Sequence, residues 1–205
     1  IFVIMSKMKI AILGGSFDPP HVGHLLVAQQ VKRLLNIDQV WLMPAYSHPF
    51  SKSLSTSVHR LAMVKLLEDD TIKASDFEIQ KKGLSYTIDT LEIIANRYPH
   101  HSFYWISGSD QIKDFPKWKN WQEFLRNYKI IIYARDENKE TLEDTLKTTL
   151  GITTIPNSLY ILASKDLPTM NISSSTIREK VKKNEPIRGL VPKKVEQYIM
   201  ENKLY

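Results

Sequence analysis

The segment Gly14-Gly15-Ser16-Phe17-Asp18-Pro19-Pro20-His21-Val22-Gly23-His24 concentrates residues able to do chemistry. It follows the apolar run Lys9–Leu13 and precedes a stretch with apolar residues at 22, 25, 26, 28, 31, 34 and 35. That pattern predicts a buried strand, a glycine turn and a helix. Two glycines at a strand end permit φ > 0 and a close approach of ligand to backbone. The N–H groups of Ser16 and Phe17 can then point into a crevice. The helix N-terminus adds partial positive charge and unpaired N–H groups. His21 and His24 are three apart and share a helix face. Gly23 between them removes a side chain where a ligand must come close. Two imidazoles there can donate to phosphate oxygens and stabilise charge that grows during group transfer. The plainer alternative is that they cap the helix. Zinc would want i, i+4 spacing and a third ligand. Neither GxGxxG nor GxxxxGK[ST] is present, so dinucleotide-oxidoreductase and P-loop readings fail.

Other groups add to this. Ile172-Ser173-Ser174-Ser175-Thr176-Ile177-Arg178 places serines at a helix start, where hydroxyls and N–H groups can cradle phosphate, with Arg178 able to pair with it in a fork. An ordinary serine cap plus a surface arginine is the alternative. Gly108-Ser109-Asp110 ends a strand; it is either a ligand edge or a tight turn with a capping Asp. Tyr86-Thr87 opens a helix, with Thr87 as cap and Asp89 and Glu92 near the positive end. Lys52 is the only Lys or Arg between Arg33 and Arg60.

These groups need elements to hold them. Strands are predicted at 9–13, 39–43, 102–107, 129–133 and 159–162, with 71–79 extended. Helices are predicted at 22–35, 57–67, 87–98, 122–126, 140–150, 174–183 and 192–202. In 57–67, Val58, Leu61, Ala62 and Leu66 form the apolar side. The helix at 140–150 reads as polar and peripheral, and Pro192 suits a first helical turn. Strands alternating with helices imply βαβ units and an open parallel sheet with helices on both faces. Ligands then bind at the carboxyl ends of the strands, near the switch in strand order. The chain reads as one α/β domain over 1–205. Residues 1–7 form a non-native or flexible extension, and about 171–205 a helical part packed on the domain.

The 205 residues are 42% hydrophobic and 24% charged, which excludes a disordered tail, a collagen or a coiled coil. With no cysteine, disulfides, thiolate zinc sites, iron–sulfur clusters and thiol nucleophiles are excluded. No apolar run reaches membrane-spanning length, and the start lacks the marks of a signal peptide. A cytoplasmic setting with no membrane partner is expected. The net charge of +6 suggests an anionic partner. Eight Lys/Arg stand against four Asp/Glu between 176 and 205. No block of five like charges occurs, and no aromatic-plus-basic stripe suggests RNA, so nucleic acid is not expected.

GGSFDPPHVGH, with its HxGH end, resembles the nucleotidylyltransferase superfamily. Further segments are similar to one branch, the bacterial nicotinate-nucleotide adenylyltransferases. They are HRLAMVKL at 59–66, DFEIQKKGLSYTIDTL at 76–91, WISGSDQIKDFPKW at 105–118, IIYAR at 131–135, ISSSTIR at 172–178 and LVPKKVEQYIMENKLY at 190–205. The resemblance implies a doubly wound, Rossmann-like fold. It implies transfer of the adenylyl group of ATP, with Mg²⁺, to nicotinate mononucleotide, releasing pyrophosphate without a covalent enzyme intermediate. His21, His24 and Arg178 would be catalytic. Gly14, Gly15, Ser16, Phe17, Gly108, Ser109, Asp110 and Ile172 to Ser175 would join them in holding ATP. The mononucleotide would meet Ser16, Phe17, Lys52, Tyr86, Thr87, Trp118 and Arg135, with Trp118 stacked on the pyridine ring. No protein metal site is implied, and a homo-oligomer stays open. Two departures stand out. Ser175 replaces the usual Thr, and the usual Pro-Pro-His-Lys run is here Tyr46-Ser47-His48-Pro49-Phe50-Ser51-Lys52. Lys52 is assigned the lysine's role, displaced by one residue, with His48 as helper. A sister transferase of the same fold, nicotinamide mononucleotide as preferred substrate, and a non-catalytic nucleotide-binding module are the alternatives.

Overall fold

The computed structural model describes residues 7–47, 54–84, 86–134, 137–163 and 172–205. The elements run β1 Lys9–Gly15, α1 Val22–Leu35, β2 Gln39–Pro44, α2 Ser57–Lys65, β3 Ile72–Ala74, α3 Phe77–Lys81, α4 Thr87–Arg97 and β4 Ser102–Gly108. A 3₁₀ run at Ser109–Lys117 follows, then α5 Trp121–Asn127, β5 Lys129–Tyr133, α6 Lys139–Leu150, β6 Leu159–Leu162, α7 Ser174–Lys182 and α8 Lys193–Glu201.

The six strands form one sheet in the order β3-β2-β1-β4-β5-β6, and every neighbouring pair is parallel. The first half winds outward from β1 and the second half winds the other way from β4. This is the doubly wound, Rossmann-like arrangement, with its switch point between β1 and β4. Leu13 lies opposite Ile106, the last pair between these strands, so Gly14-Gly15 and Ser107-Gly108 end β1 and β4 side by side at the carboxyl edge of the sheet. The pleat sends alternate residues to opposite faces. Ala11, Leu42, Tyr104, Ile106 and Ile131 build one core with Ala28 and Val31 of α1, Met63 and Val64 of α2, Ile177 of α7 and Val195 and Ile199 of α8. Ile10, Ile12, Trp105, Ile130 and Ile132 build the other with Ile88, Leu91 and Ile94 of α4, Phe124 of α5 and Leu142 and Leu146 of α6.

The structure corrects the sequence reading in several places. The extended stretch at 71–79 is a three-residue strand followed by α3, because Gln80 turns back onto Asp76 through both backbone (2.8 Å) and side chain (2.7 Å). In α2 the inward residues are Arg60, Met63 and Val64, while Val58 is 71% exposed. An arginine, not an apolar stripe, sets the helix face. α6 is not peripheral: Leu142, Leu146 and Leu150 are buried at i, i+4 spacing. Pro192 is the residue before the first turn of α8. The helical run at 109–117 is absent from the sequence reading; Pro116 and a period nearer three than 3.6 hide it.

Candidate functional site

The glycine turn works differently from expectation. Gly14 and Gly15 are still strand, and the left-handed residue is Phe17, at φ 50°. Gly14 is needed because a Cβ there would lie 2.5 Å from the Trp105 indole. Phe17 is buried and its ring packs 4.8 Å from His24. At Gly23 a Cβ would come within 3.0 Å of the His21 ring.

His21 is the N-cap residue of α1 and is 3% exposed. Its backbone N–H donates to Nδ1 of His24 at 3.1 Å, and the two ring centroids lie 3.7 Å apart with their planes tilted by 33°. The two histidines thus close the start of α1 on each other as a capping box, with both rings side by side. With Nδ1 accepting, neutral His24 carries its proton on Nε2, where it can donate.

The second signature docks on the first. Arg178 Nη1 donates to the backbone carbonyl of Asp18 at 2.7 Å, and Nη2 to Ser175 Oγ at 3.3 Å. Ser174 Oγ donates to the carbonyl of Pro19 at 2.8 Å. Ser173 is the N-cap of α7 and accepts from the Thr176 N–H at 3.1 Å. Ile172 is buried beneath them. Residues 16–24 and 172–178 thus form one surface, although over 140 positions separate them in sequence.

Beneath that surface lies a network the sequence reading missed. Arg60 is 1% exposed, and its guanidinium donates to four carbonyls: Ser16 (2.8 Å), Ala45 (2.6 Å), Tyr46 (2.8 Å) and Ser55 (3.0 Å). Burial pulls its pKa down, and nearby Asp18 opposes that shift. The Asp18 carboxylate is fully buried and accepts from the Ser55 N–H at 3.1 Å and the Tyr205 hydroxyl at 2.7 Å. Burial, and next the hydrogen bond to Asp18, push the Tyr205 hydroxyl well above the usual range, so it remains a donor. The signal available in sequence was the arginine within a helix flanked by apolar residues; its four partners come from separate loops.

On the other side of β1 is a cleft of about 500 Å³ lined by Gly14, Gly15, Tyr86, Thr87, Trp105 and Trp118, among others. It brings together the glycine turn and three residues expected at the mononucleotide. Trp118 is half-buried and stacks on Phe115 at 4.8 Å with 16° between planes. Tyr86, not Thr87, is the N-cap residue of α4, and Thr87 is its first residue. Glu78 and Lys119 also line this cleft, and neither was singled out from sequence. Gly108 is the last residue of β4, while Ser109 and Asp110 begin the 3₁₀ run, so this is neither a tight turn nor a helix cap by Asp110. Lys52, His48 and Arg135 lie outside the described residues. Among the described residues no cluster of three or more His, Asp or Glu could hold a metal ion, and no helix is long and apolar enough to cross a membrane.

A model of the cytidylyltransferase-like family matches residues 12–180. The chain is 36% identical over 200 residues to a probable nicotinate-nucleotide adenylyltransferase of Oceanobacillus iheyensis, covering 96% of each. It is 35% identical over 202 residues to the nicotinate-nucleotide adenylyltransferase of Bacillus subtilis, covering 96% of this chain and 98% of that one. Among solved structures, the nicotinic acid mononucleotide adenylyltransferase of Plasmodium falciparum complexed with NaAD superposes with a TM-score of 0.79 at 24% identity, over 97% of this chain and 98% of that one.

Proposed function

This chain belongs to the nicotinate-nucleotide adenylyltransferase family, and we propose that it joins ATP and nicotinate mononucleotide into nicotinate adenine dinucleotide, releasing pyrophosphate. The observation that carries this reading is the docking of the Arg178 and Ser174 motif onto Asp18 and Pro19 of the HxGH loop. Arg178 is thereby held against the loop that carries His21 and His24, and the cleft that contains Trp118 opens at Gly14 and Gly15, where the same loop begins.

The mononucleotide phosphate is already nucleophilic. One of its oxygens attacks the α-phosphorus of ATP, the bond from that phosphorus to the β-bridging oxygen breaks, and pyrophosphate leaves with the electron pair. The protein has two tasks, to align two polyanions and to neutralise the charge that shifts onto the leaving group. His24, with its proton on Nε2, donates to phosphate oxygens. His21 is held against it and shares that field. Arg178, aimed by the Asp18 carbonyl and Ser175, pairs with ATP phosphate. Gly108, Ser109 and Asp110 serve the adenosine half at the neighbouring strand end. Trp118 takes the pyridine ring, Tyr86 and Thr87 border it, and Lys52 and Arg135 supply charge to the mononucleotide. Mg²⁺ bound with ATP would neutralise phosphate charge and help pyrophosphate to leave. A cytoplasmic setting belongs to the same reading.

The test is product formation from ATP with each of four acceptors: nicotinate mononucleotide, nicotinamide mononucleotide, glycerol phosphate and phosphopantetheine. Dinucleotide and pyrophosphate should appear in equal amounts with nicotinate mononucleotide and fastest with it. Turnover with glycerol phosphate or phosphopantetheine alone would make this a sister transferase. Nucleotide binding without turnover would make it a non-catalytic module.

A further inference from the structure

We infer that Tyr205 is a positioning residue for the ATP side of the site, holding the Asp18 side chain so that the Asp18 carbonyl aims Arg178 at phosphate. The inference rests on the placement of ATP proposed above. Tyr205 lies beyond α8, and its hydroxyl donates to Asp18 Oδ1 at 2.7 Å. The other carboxylate oxygen accepts from the Ser55 N–H at 3.1 Å. The backbone carbonyl of the same residue accepts from Arg178 Nη1 at 2.7 Å, and that of Pro19, next along, from Ser174 Oγ at 2.8 Å. Side chain and carbonyl of Asp18 leave one Cα, so donors that fix the carboxylate also limit rotation of the peptide that carries the carbonyl. The Tyr205 phenol also interacts electrostatically with Arg60 and Arg178.

Packing alone does not call for the oxygen. Leu204 and Tyr205 cover the core that α1, α7 and α8 share, and a phenyl ring would cover it as well. The hydroxyl instead supplies a donor to a carboxylate that is fully buried, a group that is costly to leave short of donors. The chain bends to deliver it. Lys203 and Tyr205 stand at φ 49° and 68°, left-handed values that a side chain disfavours. Strain of this kind persists where its surroundings enforce it, and it gathers at functional sites. Arg178 gains most from the arrangement. Its guanidinium spends one N–H on Asp18 and one on Ser175, and its planar fork is directional toward phosphate. A turn of the Asp18 carbonyl therefore redirects the cation, although Tyr205 itself need not touch ATP.

The experiment measures ATP binding by calorimetry, with Mg²⁺ present, in the wild type, Tyr205→Phe, Arg178→Met and the double variant. Circular dichroism checks the fold of each. Tyr205→Phe should weaken ATP about fivefold, the scale of one hydrogen bond to a charged group felt at second hand. Its KM for nicotinate mononucleotide at saturating ATP should stay within about twofold of wild type. In the Arg178→Met background the same change should cost less than about twofold, because the group that Tyr205 aims is gone. An equal loss in both backgrounds, equal losses for both substrates, an unchanged ATP affinity or a Tyr205→Phe chain that does not fold would each make the tie purely structural and overturn the inference. The binding cycle needs no turnover. A wild type that binds ATP but joins no mononucleotide would overturn the reaction and leave the cycle to decide the role of Tyr205. A wild type that binds no ATP would overturn both.

Discussion

At the scale of single residues, the paired imidazoles and the cleft indole carry the sharpest expectations. His24 is fixed by the His21 N–H and by the Phe17 ring, so its truncation removes a positioned donor at the edge of the core to which Phe17 belongs. His24→Ala should stay folded by circular dichroism and lose turnover by about a hundredfold or more. A folded variant within threefold of wild type would remove His24 from the chemistry. Trp118→Ala should weaken the pyridine mononucleotide by about ten- to thirtyfold in calorimetry while sparing ATP. Equal losses for both ligands would make the Phe115 stack its whole purpose. Much of this was legible in sequence because HxGH spacing and a helix start already bring two imidazoles onto one face. Gly14 and Gly23 were legible as positions without room for a side chain, and the protein itself supplies one reason. Their missing Cβ atoms also give space to the Trp105 indole, which reaches Gly14 only after the sheet assembles, and to the His21 ring beside Gly23.

At the scale of elements, the helix following β2 shows where spacing misleads. Arg60 on α2 turns inward and gathers carbonyls of Ser16, Ala45, Tyr46 and Ser55, so it fastens the β1–α1 turn to the loop that leaves β2. The inward face is chosen by those four acceptors and by buried Asp18, none of which is local in sequence. Arg60→Met keeps the volume but removes every donor and leaves the Asp18 carboxylate without its cation. It should lose about 3 kcal/mol or more in urea unfolding, the scale of breaking a buried, hydrogen-bonded charge. A loss below about 1 kcal/mol would mean that water replaces the guanidinium. The short β3 and the 3₁₀ run at Ser109–Lys117 escaped the sequence for a related reason. Three residues of strand and a threefold turn lie below what apolar periodicity can register.

At the scale of the whole molecule, alternation of strands and helices made a parallel sheet legible. The position of the switch point followed only from the pairing of β1 with both β2 and β4. That pairing sets Gly14-Gly15 beside Ser107-Gly108 and so decides where two nucleotides can meet. Longer ties close the same loop, since Tyr205 reaches Asp18 across 187 positions. The Tyr205 pKa is raised in the folded state, so the folded chain favours the neutral hydroxyl. Its stabilising effect is full below the ordinary tyrosine range, near pH 10, and fades as pH rises above it. The stability gap between wild type and Tyr205→Phe should therefore be about 1–2 kcal/mol near neutrality and close at strongly alkaline pH. A gap that stays constant up to pH 11 would show that the hydroxyl does not titrate with folding.

Direct transfer at the switch point is tested most closely by an oxygen label. Nicotinate mononucleotide carrying ¹⁸O in its phosphate is incubated with unlabelled ATP, and both products are analysed by mass spectrometry. Attack of the mononucleotide phosphate on the α-phosphorus keeps all label in the dinucleotide, one labelled oxygen bridging the two phosphorus atoms, and leaves pyrophosphate unlabelled. Label appearing in pyrophosphate, or ATP consumed with no labelled dinucleotide formed, would contradict adenylyl transfer by this site.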